Sequence, residues 1–454
     1  MTRRDWLKTT LAAPFAAAAS AQTRRPNIVL IVADDLGYAG IGCFGNQQIK
    51  TPNIDRLAAE GMRFTDFVVS WPACTPSRSS ILTGRYPQRN GLYDMIRNNE
   101  VNWKYQYTEE TYAVSPEMTI GMDTREVTIG QALKQAGYTT GVIGKWDGGR
   151  AKRFLPLQRG FDFYYGFANT GIDYYTHERY GVPSMFRGNE RIKENGHATD
   201  LFLREALGFL KQTRGKPFFL YLPFNAPHGA STFHKDDPQE EPKYMEMYKH
   251  LPKNIAQTAA WTTHLDDAVG AILAEIKAMG QEDNTLVIFT SDNGGTGPAF
   301  NGPLRGRKAQ MFEGGLRIPM IARWPGRIAK GTVNRGFAST LEFFPTFLAI
   351  AGAGAPRGVK LDGFNLMPVL EGKAQSTRTE FFWQRQADKA ARSGQWKWVE
   401  TSEGASLFDL SADLGEKHDL SKENPAMFAT MKSKWDAWRK EMDAAEPRGP
   451  FRNY

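Results

Sequence analysis

Cysteine is nearly absent from this 454-residue chain, which holds only Cys43 and Cys74. A disulfide-stapled scaffold is excluded, and one bridge between the two is the most the sequence allows. His-x₃-His and Cys-x₂-Cys pairs are missing too, which removes the usual zinc spacings. The formal charge is +8, yet no Lys/Arg block of the nucleic-acid type occurs. Such a spread excess of cation suits an anionic small group or glycan rather than nucleic acid. No apolar run is long enough to span a membrane, and past the first residues there is no repeat or low-complexity tract. What is present is a 41% apolar share, enough core for one large domain and a smaller one.

The first residues read as an export signal. Thr2-Arg3-Arg4-Asp5-Trp6-Leu7-Lys8 precedes a short apolar run from Leu11 to Ala19, broken by Pro14 and closing on Ala19-Ser20-Ala21. Paired arginines, a short apolar stretch and a small-x-small site predict a twin-arginine signal over residues 1–21. The expectation is delivery by the twin-arginine translocase to a periplasmic or extracellular location, with no membrane anchor.

Four apolar runs organise the rest. Asn27–Ala33, Tyr138–Ile143, Pro217–Leu222 and Asn284–Thr290 are continuous and rich in β-branched or aromatic residues, as strands buried on both faces are. Helical patterns lie between them, at about 51–61, 128–136, 200–211 and 255–279, with another at 341–351. Alternating strands and helices predict an α/β fold: a large, mostly parallel sheet flanked by helices over residues 22–374. Beyond a Gly/Pro-rich approach, residues 375–454 read as a smaller α+β domain. It has strands at Trp396–Val399 and Leu407–Leu410 and a final helix at about 425–444. Residues 88–123 are a polar, aromatic surface excursion, and 231–253 a charged loop.

The strands end in Asp34-Asp35, Gly144-Lys145-Trp146-Asp147, Asn225-Ala226-Pro227-His228 and Asp292-Asn293. In open α/β sheets ligands bind outside the carboxyl ends of strands. Three carboxylates and an amide oxygen are hard ligands, suited to Ca²⁺ or Mg²⁺. Gly144-Lys145 is not a phosphate loop, since the first glycine is misplaced and Trp146 replaces Ser/Thr.

One further stretch, Cys74-Thr75-Pro76-Ser77-Arg78 closing on Leu82-Thr83-Gly84-Arg85, combines a cysteine with a helix start. Pro76 suits a first helical position, with residue 74 just ahead of an N-terminus that favours negative charge. Arg78 lies one turn on and offers a fixed fork to an anion. This stretch resembles the sulfatase signature, and the likeness extends over nearly all of the chain after the signal. Glu313-Gly314-Gly315 with Pro319, Trp324-Pro325-Gly326, and Leu407-Phe408-Asp409-Leu410 with Glu416 and Leu420 also fit that family.

The resemblance implies an alkaline-phosphatase-like fold and a sulfuric-ester hydrolase. In the family the cysteine becomes Cα-formylglycine, so Cys74 would be the residue converted by a formylglycine-generating or sulfatase-maturing enzyme. Asp34, Asp35, Asp292 and Asn293, with the group at position 74, would hold calcium rather than magnesium. Arg78, Lys145, His228 and Lys308 would surround the sulfate, with His228 as general acid, and the substrate class implied is a sulfated saccharide. Most sulfatases have histidine two residues after the strand-end lysine, where this chain has Asp147; an aspartate accepts a proton there but offers no second donor. Relatives with the same nucleophile attack phosphorus, so a phosphonate monoester or phosphodiester hydrolase is the alternative. A non-catalytic binder of sulfated glycans, marked by Asp147, is the other.

Overall fold

The structure is a computed structural model that describes residues 25–96, 119–234, 236–297 and 300–449. The export signal expected at 1–21 and most of the excursion at 88–123 lie outside them.

All four apolar runs are strands: β1 (Asn27–Ala33), β2 (Thr139–Lys145), β3 (Phe218–Pro223) and β4 (Thr285–Ser291). They lie side by side in the order β4-β1-β3-β2 and are all parallel, with Val29 opposite both Leu220 and Val287. Their carboxyl ends therefore share one edge. Beyond β4 the sheet continues through Met320–Arg323, Met62–Phe64 and Thr332–Asn334. Beyond β2 it continues through Phe163–Phe167, Met185–Arg187 and Glu190–Arg191, making ten strands. Met320–Arg323 pairs antiparallel with β4, so the sheet is mixed around a parallel centre.

The continuous apolar runs follow from burial on two sides. Ile28, Leu30 and Val32 enter one core with Ile81, Leu82, Leu133 and Phe343. Val29 and Ile31 enter the other with Ile54, Leu57, Phe202, Leu265 and Ile272. Helices Cys74–Thr83, Ile129–Gln135 and Phe343–Ala351 cover the first face; Pro52–Ala59, Ala198–Gln212 and Lys253–Ala278 cover the second. The helix after Thr128 opens on a capping box with Gln131 and stops before Gly137, whose φ of 85° a side chain would disfavour.

Two differences from the sequence pattern stand out. Residues 231–253 are not wholly loop: Pro242–Met247 is helical, and its Tyr244 ring stacks on His264 with centroids 4.4 Å apart. The C-terminal sheet has four antiparallel strands, of which Glu380–Arg385 and Asp388–Ser393 were not evident. Charged and polar residues make up much of both, and Phe381 and Trp383 alone are fully buried in the first of them. Helix Pro425–Ala444 packs Met431, Trp435, Trp438 and Met442 against this sheet.

Candidate active site

The helix carrying Cys74 begins at that residue, with Ala73 as N-cap, so Pro76 is third rather than first. The first-turn N–H groups of a helix have no intrahelical acceptor, so proline is tolerated throughout that turn and cannot alone mark its first residue. The first i→i−4 bond runs from Ser77 N to Ala73 O at 3.3 Å. All ten residues of the helix are buried, and Gly84, at φ 65°, ends it.

This placement brings Cys74 to the shared edge of the four strands. Its Sγ lies 3.4 Å from Asp34 Oδ1, 4.0 Å from Asp35 Oδ1 and 3.3 Å from Lys308 Nζ. Each aspartate is paired with a cation. Lys145 Nζ meets Asp34 Oδ2 at 2.7 Å, Lys308 Nζ meets Asp35 Oδ1 at 2.7 Å, and Arg78 Nε donates to Asp292 Oδ2 at 2.8 Å. Asn293 Nδ2 donates to Asp35 Oδ1 at 2.8 Å, and Asp35 N donates to Asp292 Oδ1 at 3.1 Å. Asp35 and Asp147 both hold positive φ, 64° and 54°, a conformation non-glycine residues keep only where their surroundings impose it.

All the site residues named from the sequence thus converge, with His228 Nε2 3.8 Å from Asp35 Oδ2. Asp147 is at the margin: it accepts from Thr75 Oγ1 at 2.8 Å and lies 3.8 Å from Lys145 Nζ. Its Oδ2 has no hydrogen-bond partner among the described residues. Cys43 lies elsewhere, half-buried, and both cysteines are free thiols, so the bridge the composition allowed does not form.

Electrostatics follow from burial in this crowd. Burial, reinforced by Asp34, pushes the Cys74 thiol well above its usual value, so it is protonated and a poor nucleophile. Burial lifts Asp292 to about 6 against the pull of Arg78, and Asp147 to about 6 against Lys145 and Arg78. Burial would also raise Asp35, but Lys308, His228 and Asn293 together hold it below the ordinary carboxylate range. Burial lowers His228 to about 3, opposed by Asp35 and helped by Lys308 and Lys145. Its Nδ1 is 2.6 Å from the Gly229 carbonyl, a contact that needs a proton on Nδ1.

The donor set fits a hard divalent cation. Asp34, Asp35 and Asp292 gather on the strand-end edge, and Asn293 Oδ1 is buried with no hydrogen-bond partner among the described residues. The ligand atoms of Asp34, Asp35, Cys74 and His228 lie within 4.8 Å of one another. His197, Asp200 and His264 also approach within that distance, but both His264 nitrogens are taken. Nδ1 meets Glu240 at 2.9 Å and Nε2 meets Asp200 at 3.0 Å, while the two imidazoles stack at 4.6 Å. With both ring nitrogens engaged by carboxylates, His264 has no lone pair left for a metal ion.

A cavity of about 420 Å³ opens above Cys74, with His228 and Lys308 on its walls. Trp71, Asp94, Arg179, Arg307 and Arg385 also line it, none of them singled out by the sequence pattern. Arg307 could have been found as the neighbour of Lys308; Arg385 arrives from the C-terminal sheet, and nothing local marks it.

The sequence profile described as Sulfatase matches residues 26–353, and that described as N-sulphoglucosamine sulphohydrolase, C-terminal, matches residues 307–441. N-acetylgalactosamine-6-sulfatase of Homo sapiens is 34% identical over 410 residues, 85% of this chain and 74% of the relative. Arylsulfatase A of Homo sapiens is 34% identical over 426 residues, 87% of this chain and 79% of the relative. Among solved structures, Ps i-CgsB in complex with k-i-k-neocarrahexaose superposes with a TM-score of 0.81 at 33% identity, covering 91% of this chain and 93% of that one.

Proposed function

The chain belongs to the sulfatase family, and we propose that it releases sulfate from a carbohydrate, using formylglycine made from Cys74 and a bound calcium ion. Its mixed sheet with a small antiparallel C-terminal sheet is the alkaline-phosphatase-like fold of that family. The observation that carries the reading is the setting of Cys74, which faces a cavity from the edge where three aspartates, two lysines and an arginine meet. The carbohydrate part rests on the likeness to N-acetylgalactosamine-6-sulfatase and to Ps i-CgsB, which is seen with a neocarrahexaose. Residues 1–21 support maturation inside the cell followed by twin-arginine export to the periplasm or beyond.

Asp34, Asp35, Asp292 and Asn293 would hold the calcium, whose tolerance of irregular oxygen shells suits them better than magnesium's strict octahedron. When bound, it supplies a fixed positive charge beside residue 74 and the sulfate oxygens. A buried, protonated thiol cannot attack sulfur, which gives the conversion of Cys74 a purpose: a hydrated aldehyde offers an oxygen nucleophile and a second hydroxyl that allows sulfate to be expelled.

The chain's own groups do the rest. Arg78, Lys145 and Lys308 are fixed by their carboxylates and face the place where negative charge spreads over the sulfuryl oxygens. His228 stands on the cavity wall. A sulfate ester entering beside it brings negative charge that raises its proton affinity, so Nε2 can take up and hand on a proton to the leaving alcohol. Asp147, with Oδ2 unbonded, would accept the proton whose loss releases sulfate.

Two measurements test this. Peptide mass spectrometry across residues 70–85 of active protein should find the aldehyde in place of the Cys74 thiol; an intact thiol in active enzyme overturns the nucleophile. Sulfate release should be faster from sulfated saccharides than from 4-nitrophenyl sulfate. Dominant turnover of phenylphosphonate esters would replace the reading with a phosphonate hydrolase, and glycan binding without sulfate release, in modified protein, with a binder.

A further inference from the structure

Cations lie both on the walls of the cavity and beneath it. Those at and below its floor are engaged by carboxylates: Lys145 by Asp34, Lys308 by Asp35, and Arg78 by Asp292 and, at 3.6 Å, by Asp34. Arg179, Arg307 and Arg385 line the walls above them, and Asp94 is the one carboxylate among the described residues of the lining. Arg307 is exposed and forms no ion pair with any described residue. Arg385 has only a long approach to Asp388, 3.7 Å, and lies over the Trp71 ring at 5.9 Å.

Arg385 is also held in place. It ends the first strand of the C-terminal sheet, and the carbonyl of its neighbour Gln384 accepts from Trp71 Nε1 at 2.8 Å and Gln88 Nε2 at 3.1 Å. Trp71 lies three residues before Cys74 and is itself buried. The smaller sheet is thereby fastened to the catalytic layer at the point where it delivers a guanidinium to the cavity. Arg307 reaches the same cavity from the loop after β4, beside Lys308. A single sulfate monoester bound over Cys74 uses the floor cations and leaves both of these arginines without a counter-charge.

We propose that Arg307 and Arg385 form a second anion subsite, so that the preferred saccharide carries another negative group besides the sulfate that is removed. The proposal rests on the carbohydrate-sulfatase reading above. A second sulfate and a uronate carboxylate share the required chemistry, since the guanidinium fork accepts either in a bidentate manner. A cleft lined by one sign of charge also concentrates such polyanions, in keeping with the chain's net charge of +8.

The test is kcat/KM on three matched disaccharides: one monosulfated, one with a second sulfate, and one with a uronate carboxylate. Wild-type protein should favour at least one doubly charged member about tenfold, and which one identifies the group. Arg307→Gln and Arg385→Gln should each lower that ratio about three- to fivefold, the range of a partly exposed ion pair, and together bring it near one. Raising ionic strength should compress the wild-type ratio in the same way. Because the readout is a ratio on one preparation, a reduced folded fraction cancels. Turnover of the monosulfated sugar with a wild-type ratio of one, or a ratio that survives the double substitution, overturns the subsite alone. Hydrolysis of 4-nitrophenyl sulfate with none of any saccharide overturns the carbohydrate reading and the subsite with it.

Discussion

Two buried ion-pair clusters in this protein use the same residue types and do different work. One surrounds Cys74. The other sits between the two sheets, where Lys397 Nζ lies 2.9 Å from Glu313 Oε1 and 2.8 Å from Glu416 Oε1. Glu313 Oε2 also takes Arg317 Nε at 2.6 Å, and Glu313 N donates to Glu416 Oε2 at 2.7 Å. These three side chains, Glu313, Lys397 and Glu416, are wholly closed from solvent. The cluster clasps the turn Glu313–Leu316 to strand Trp396–Thr401. Around Cys74, by contrast, a cavity opens. Burial and charge alone therefore do not mark a site; space beside the charges does.

Paired substitutions give the largest contrast. Cys74→Ala should cost at least ~10⁴-fold in kcat, as loss of a nucleophile does, with an unfolding midpoint close to wild type. Lys397→Met should cost about 3–5 kcal/mol of stability, because it leaves Glu416 in the interior without its cation and Glu313 with Arg317 alone, while the protein that folds keeps its turnover. Denaturant unfolding and kcat per folded molecule read both, and an exchange of outcomes would break the comparison. The pH dependence of Lys397→Met follows from the carboxylates. Burial already raises Glu416 to about 7 despite Lys397, while Lys397 and Arg317 outweigh burial at Glu313 and hold it low. Without the lysine the folded state binds the Glu416 proton still more tightly than the unfolded one. That stabilisation is complete below the unfolded value of 4.5 and lost as pH rises through the raised native value. The variant should be more stable at about pH 5 than at about pH 8.

Much of the Cys74 cluster was legible because burial on both faces makes β1, β3 and β4 read as unbroken apolar runs, and ligands gather where such runs stop. What was not legible depended on contacts between distant segments. The start of the Cys74 helix was misplaced because proline is acceptable at several first-turn positions. Asp147 is steadied by Thr75, 72 residues away, and Arg385 enters the cavity through the Gln384–Trp71 bond. Glu380–Arg385 and Asp388–Ser393 escaped because polar residues outnumber core residues in each. The low proton affinity of His228 also depends on folded surroundings, notably on its desolvation and on Lys308.

Asp147 and Glu416 make a finer pair, two buried carboxylates lifted to about 6 and about 7. Only the first neighbours the Cys74 helix and the strand-end lysine, at Thr75 and Lys145. Asp147→Asn should lower kcat about 100-fold, the usual size of a lost general base, with residue 74 still converted. Wild-type activity should fall as pH drops below about 6, because the base must be ionised, and the asparagine variant should lose that limb. Glu416→Gln should leave the limb in place. An acid limb unchanged in Asp147→Asn would make Asp147 structural and leave the proton acceptor elsewhere.

The smallest contrast concerns the ion. Anything that binds only the folded state stabilises it by RT ln(1 + [L]/Kd), so calcium at about thirty times its Kd should add about 2 kcal/mol. Thermal unfolding with and without a chelator reads this directly, independently of turnover. Asn293→Ala removes the proposed ligand oxygen, which no hydrogen bond from a described residue occupies, so it should cut the calcium-dependent shift while leaving the ion pairs of Asp34, Asp35 and Asp292 intact. Asp200→Asn, in the stacked-histidine cluster, should leave the shift unchanged, because His264 there is already held between two carboxylates. A shift that survived Asn293→Ala and vanished in Asp200→Asn would move the ion out of the Cys74 cluster.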